Sequence, residues 1–316
     1  MAENNTVVLE FMLVGFPMTR KQEVVVFTIF LLIYVLTISA NILIITLVRV
    51  SRCLHKPMYF FLSNFSFLEI WYTSVTVPKM LADLVSTKST ISRNGCILQF
   101  YFFFFLGAME NYLLAVMSLD RFIAICYPLR YPAIMNERAC AQLAGGAWII
   151  SCMSPLLPAV SMSQLSFCGP RVIDHIFCDF SPLMKLSCTR NSISEISFML
   201  IARAVILGCF ALIMVSYIFI ILTIMRMPST AGRQNAFATC ASHLTVVFIY
   251  YGTVIFIYVC PTVQESIHLN KVVSVFYAVV TPLLNPIIYS LRNQEVKAAL
   301  KRAIIKFRGL ERVAVK

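Results

Sequence analysis

Two carboxylates stand deep inside apolar sequence. Glu69 lies twelve residues into the run that begins at Met58, about 18 Å at 1.5 Å per helical residue, and Glu110 lies eleven residues before Arg121, about 16 Å by the same rise. Charged groups in such surroundings are costly and mark function. Asn41 and Asn285 sit in the first and last apolar runs and join them as oxygen donors. Two bare carboxylates cannot both stay ionised there, so the cluster either coordinates a small cation, with sodium the natural guest, or shares a proton. Arg203 is a third intramembrane charge, free to snorkel, to pair with a carboxylate such as Glu195, or to face a cavity. Enzyme chemistry finds no foothold. The sequence has no Gly-rich phosphate loop, no His-Glu metal motif and no nucleophile elbow, and its four histidines, His55, His175, His243 and His268, are scattered.

The elements that must position these groups are membrane helices. The 316 residues are 59% hydrophobic and 13% charged, with mean hydropathy +0.83, which excludes an ordinary water-soluble enzyme. With so much apolar sequence, the net charge of +12 reads as membrane flanks attracted to anionic lipid and not as a nucleic-acid surface. Seven runs are long enough to cross about 30 Å of hydrocarbon: 24–48, 58–81, 96–122, 142–160, 197–224, 236–260 and 272–291. They are apolar on every side and lack the alternation of barrel strands, so the chain is expected to be an all-α bundle of seven transmembrane helices. Residues 1–23 are polar and show no cleavable leader, leaving the first span to direct insertion. Sixteen of the 26 lysines and arginines fall on the side of the C-terminus, nine on the other, and Arg203 lies within a span. That bias puts the N-terminal tail outside and residues 292–316 in the cytoplasm. Asn4-Asn5-Thr6 then becomes a glycosylation sequon on an extracellular tail. Repeated halves or broken helices, the marks of a transporter that would use the two glutamates, are not found.

Cys96, Cys168, Cys178 and Cys188 map to the outer face, three of them in a long loop at 161–196. Four cysteines in an oxidising compartment suggest two disulfides with three pairings open, and the spacing of ten within the loop fits no compact zinc site. At the other end, residues 292–307 place Val296, Leu300, Ala303, Ile304 and Phe307 on one stripe with the basic residues largely off it, an interfacial helix for the inner leaflet.

Residues 117–131, MSLDRFIAICYPLRY, closely resemble the signature of vertebrate olfactory receptors within the rhodopsin-like G-protein-coupled receptors. PMYFFLSN at 57–64, Ser216-Tyr217, ATCASHL at 238–244 and PLLNPIIY at 282–289 follow in the same order and at matching depths. The sequence departs from the pattern in Glu69 for the commoner aspartate, Ala40-Asn41 for glycine-asparagine, Leu119 and Phe122 for tyrosines, and Gln234-Asn235 for a basic pair. The resemblance implies a Cys96–Cys178 disulfide and a Cys168–Cys188 disulfide. It implies that Asp120 and Arg121 hold the cytoplasmic gate, with Arg121 engaging the G protein. Tyr217, His243, Asn285, Pro286 and Tyr289 would take part in the rearrangement as the sixth span swings. It further implies a stimulatory G protein, cyclic AMP as the output, and the plasma membrane of olfactory sensory neuron cilia.

The third span opens FYFFFFLGA at 100–108. Phe103 stands where receptors for charged amines carry an aspartate, and no lysine lies mid-way along the seventh span for a Schiff base. A small, largely apolar volatile is therefore the expected ligand, in an apolar cavity with few polar fixtures. Phe104 is expected to face it, with Gly107 and Ala108 leaving space beneath. By family position the lining also draws on Asn111, Ile201, Ala202, Val205, Tyr251, Val254, Tyr258 and Ala278. Tyr251 and Tyr258, two turns apart, share a face.

Overall fold

A computed structural model describes residues 10–167, 171–188, 192–259, 267–292 and 294–314. Seven long helices form the bundle: α1 (Arg20–Val50), α2 (Pro57–Val85), α3 (Arg93–Cys126), α4 (Glu137–Met153, resuming at Leu156–Ser163), α5 (Ser192–Met225), α6 (Thr230–Tyr258) and α7, which runs Ile267–Val275, Phe276–Val280 and Thr281–Arg292. An eighth, α8 (Gln294–Ala314), comes after them. Most of these helices overrun the apolar runs because hydropathy ends where side chains become polar, whereas a helix ends at its cap. Ser92, Asn136 and Ser229 cap α3, α4 and α6 by accepting from the backbone N–H groups of Gly95, Ala139 and Gly232.

Six of the seven are long and apolar enough to cross a membrane by length and composition, where seven were expected. The exception is α2, whose hydropathy is lowered by Ser66, Glu69, Thr73 and Thr76 on its buried side. It packs along α1 and α3, so its polar groups meet protein, not lipid. α3 is the central rod, in contact with α2, α4, α5 and α6, and most of its middle is buried. α4 is interrupted in its hydrogen bonding at Pro155, although Ser154 and Pro155 keep right-handed helical backbone. Pro155 has no N–H to give the Ser151 carbonyl, and the Ser154 hydroxyl donates to that carbonyl instead at 3.0 Å. In α7 the residues Phe276–Val280 form a wide π turn, and Pro286 lies inside the last segment.

One end of the bundle is capped. The N-terminal tail contributes β1 (Glu10–Leu13), the middle strand of a three-stranded sheet. It runs antiparallel to β2 (Thr90–Ser92) and parallel to β3 (Val172–Ile173). Phe11 and Leu13 turn inward onto Cys96, Phe100, Cys178, Phe180 and Phe198. Cys96 and Cys178 are disulfide-bonded with Cα atoms 5.5 Å apart, tying the loop to the start of α3. Cys188 is also disulfide-bonded, while Cys168 and Asn4 lie outside the described residues. Lys271 of α7 fastens the cap, donating to the carbonyls of Gly15 (2.9 Å) and Val14 (3.1 Å) and pairing with Asp174.

At the opposite end α8 buries Val296 and Ala299 and half-buries Leu300 and Ala303. Glu295 pairs with Lys56 at 2.6 Å and accepts from the Tyr59 hydroxyl at 3.0 Å. Ile304, on the stripe expected to meet the inner leaflet, is exposed together with Ile305. The Phe307 side chain lies outside the described residues.

Candidate functional site: a cavity, a carboxylate cluster and a helix clasp

Between the cap and the middle of the bundle lies a cavity of about 70 Å³. Nine of the eleven residues expected to line it do so: Phe104, Gly107, Ala108 and Asn111 on α3, Ile201, Ala202 and Val205 on α5, and Val254 and Tyr258 on α6. The α3 set recurs every three or four residues, which is one face of a helix. Phe104 meets Phe198 edge-on (4.9 Å between ring centres) and Tyr258 at 5.8 Å. Of its neighbours, Phe103 also lines the cavity, whereas Phe102 and Phe105 turn away onto Trp71.

Two expected residues do not line it. Tyr251 packs on Phe210 at 5.0 Å and its hydroxyl is buried without a partner; the lining tyrosine is Tyr250. Tyr250, Val254 and Tyr258 follow one another down the cavity side of α6, and Tyr251, the next residue after Tyr250, stands about 100° round the helix from it. Ala278 is fully buried elsewhere, and Tyr277 takes its place. The π turn adds a residue to the helical repeat and rotates the rest of α7, which residue spacing does not reveal. Tyr72, Ser154, Pro155, Phe198 and Ile206 complete the lining and were not anticipated.

The polar fixtures are few. Asn111 Nδ2 donates to the Tyr250 hydroxyl (2.8 Å) and the Gly107 carbonyl (2.9 Å), and Tyr250 also donates to that carbonyl at 3.1 Å. The Tyr258 and Tyr277 hydroxyls share a hydrogen bond of 2.8 Å. Asn111 Oδ1 is buried with no donor facing it. Among the described residues Arg203 neither pairs with a carboxylate nor lines the cavity; its Nε donates to the Tyr258 carbonyl at 3.4 Å, bracing α5 against α6.

Below the cavity, Asn285 Nδ2 donates to Glu69 Oε1. Asn41 Nδ2 donates within α1 to the Thr37 carbonyl at 3.0 Å, and Glu110 is buried within electrostatic reach of Glu69. Three buried oxygens here have no hydrogen-bond partner: Asn41 Oδ1, Glu69 Oε2 and Asn285 Oδ1. Unpaired buried acceptors of this kind fit a hard cation or a proton in chemical type.

The groups expected to switch fall into separate contacts. Asp120, fully buried, accepts from the Tyr131 hydroxyl at 2.7 Å and lies 3.3 Å from Arg121 Nη2. Tyr217 of α5 and His243 of α6 share a 2.8 Å hydrogen bond between stacked rings, clasping the two helices together. Tyr289 sits against Phe65 with its hydroxyl buried and unpartnered.

A family model described as olfactory receptor matches residues 30–307. The chain is 49% identical to human olfactory receptor 11L1 over 308 residues, which covers 98% of this chain and 96% of the relative. It is 52% identical to human olfactory receptor 6A2 (93% and 91% covered) and 50% identical to rat olfactory receptor 226 (94% and 92%). The chain belongs to the olfactory receptor family. It is therefore a multi-pass, seven-helix G-protein-coupled receptor for odorants and not an enzyme. In this olfactory receptor the cavity, the carboxylate cluster and the α5–α6 clasp succeed one another down the bundle, with α3 contributing to the first two and carrying Asp120 and Arg121 near its end.

Proposed function

We propose that the cavity is the odorant site and that its ligand is a compact, largely apolar volatile carrying one hydrogen-bond donor. The observation that carries this reading is an apolar cavity with Asn111 in its lining, a residue whose Oδ1 is buried with no hydrogen-bond partner. A buried acceptor left unpaired costs about 1–3 kcal/mol, which a ligand hydroxyl would relieve. The space is small beside an engineered cavity of about 150 Å³ that holds benzene, so larger ligands must turn side chains aside. Binding activates only through differential affinity for the state in which α6 swings away from α5. The N-terminus then faces outward, with Asn4 glycosylated, and Arg121 and α8 face the cytoplasm and anionic lipid. A stimulatory G protein there raises cyclic AMP, in the plasma membrane of sensory cilia.

The test is a panel of C6–C10 alcohols, aldehydes and hydrocarbons on cells expressing the chain with a cyclic-AMP reporter. Alcohols should exceed hydrocarbons of equal length by about tenfold in potency, and Asn111→Leu should erase the difference. Equal potency throughout would refute the donor assignment.

The same reading places sodium among Asn41, Glu69, Glu110 and Asn285, where it would supply positive charge between the two carboxylates. Agonist affinity should then respond to sodium at fixed ionic strength, and Glu110→Gln should remove the response. A response to pH alone would favour the shared proton.

A further inference from the structure

The cavity is closed toward the cap and open toward the side. Phe177, Cys178, Phe180 and Leu183 over its capped end are all at most 4% exposed, beneath a sheet that Lys271 fastens to α7. Its lining on α3, α6 and α7 is buried or half-buried. Ile201 on α5 differs: it lines the cavity and is 39% exposed. Ser154 and Pro155 of α4 also line the space, and the α4 segment that follows them packs against α5. The backbone stays in the right-handed helical region at Ser154 and Pro155, so what changes at that level is one lost ladder hydrogen bond and a small, unbranched lining. The Ser154 hydroxyl supplies the donor that proline lacks, so the irregular backbone leaves no bare Ser151 carbonyl toward lipid. The flanks, Met153 and Leu157 on α4 and Leu200 on α5, are each about 60% exposed and wholly apolar, a surface suited to acyl chains.

We propose that apolar ligands enter and leave this cavity sideways from the bilayer, through the gap between the α4 break and Ile201 of α5. The proposal rests on the reading of the cavity as the odorant site. Apolar molecules concentrate in acyl chains, since each buried methylene contributes about 0.8 kcal/mol, so the membrane is their reservoir. Ile201 acts as the hinged pane of this opening, and the cap need not move.

The experiment uses the full chain in lipid nanodiscs and the most potent C6–C10 alcohol of the panel in tritiated form, with association and dissociation measured separately. Ile201→Trp should slow association at least tenfold, and Ile201→Ala should speed it. Lys271→Met, which frees the cap, should leave association within twofold. A lost contact in the cavity changes dissociation and affinity without slowing association. Association unchanged in both Ile201 variants would therefore overturn the proposal, as would a tenfold acceleration in Lys271→Met. If the unaltered chain shows no saturable binding of any panel member, the odorant-site reading falls and takes the opening with it. Saturable binding with rates indifferent to Ile201 removes the opening alone.

Discussion

Gly107 offers a separation of folding from ligand binding. It lies in the middle of α3, lines the cavity, and has no atom within 4 Å of where a Cβ would stand. Alanine there gains about 0.5–1 kcal/mol of helix stability, because glycine loses more backbone freedom on folding. Its methyl group, about the size of one water molecule, enters a cavity small beside those that hold a ring-sized ligand. Losing room for one methylene in an apolar pocket costs a ligand about 1–3 kcal/mol, or roughly 10- to 200-fold in potency. Gly107→Ala should therefore raise the thermal unfolding midpoint slightly while shifting the concentration-response curve of the best agonist rightward at least tenfold. Gly107→Val should abolish the response with the fold intact. Concentration-response by cyclic AMP and thermal unfolding in detergent measure the two effects independently. Potency within twofold of the parent for every active volatile would refute the cavity as the ligand site. A midpoint lowered by several degrees would show that the space beside Gly107 is not open.

Three other contacts set measurable outcomes. Cys178→Ser removes a link across 82 residues, worth about 4 kcal/mol in the chain-entropy account, and should cut surface expression severely, as antibody staining of intact cells would show. His243→Phe removes the α5–α6 hydrogen bond, and a net loss of about 1 kcal/mol should raise ligand-independent signalling severalfold; an unchanged baseline would deny the clasp any restraining role. In the loop, burial lowers the pKa of His175 from 6.5 to about 4 and raises that of Asp179 from 3.8 to about 6. As pH falls below 6.5 the opened loop takes a proton that buried His175 refuses, so stability is lost down to pH 4. As pH rises from 3.8 to 6, Asp179 holds a proton that the opened loop has released, so its contribution is lost in that direction. The two nearly cancel between pH 4 and 6, and Asp179→Asn should expose the His175 dependence as loop protection that increases with pH in hydrogen exchange.

The α3 face was legible in part from the apolar run at 100–108, which places Phe104, Gly107 and Ala108, while Asn111 followed from the family resemblance. The helix breaks were not. Pro155 and the π turn at Phe276–Val280 change rotation by local hydrogen-bond choices that composition does not encode, which is why Ser154 was missed and Ala278 misplaced. Family position points to Tyr251, and its seven-residue spacing from Tyr258 shows only that those two share a face, not which face of α6 meets the cavity. The strand at Glu10–Leu13 did leave a signal, the alternation that turns Phe11 and Leu13 to one side, but four residues within a polar tail are too few to read without their partners Ile91 and Val172. The Tyr217–His243 clasp joins residues 26 apart in sequence, and only the packing of α5 on α6 brings them together.

The order of strands in the cap decides where the chain tolerates surgery. β2 and β3 do not pair with each other; within the sheet each pairs only with the segment between them, and the Cys96–Cys178 disulfide is their other link. Trimming the first thirteen residues would leave that disulfide to hold the two loops together, although everything trimmed precedes the first helix. A tag fused ahead of Glu10 spares that seam, and one inserted between Leu13 and Thr19 would pull it apart.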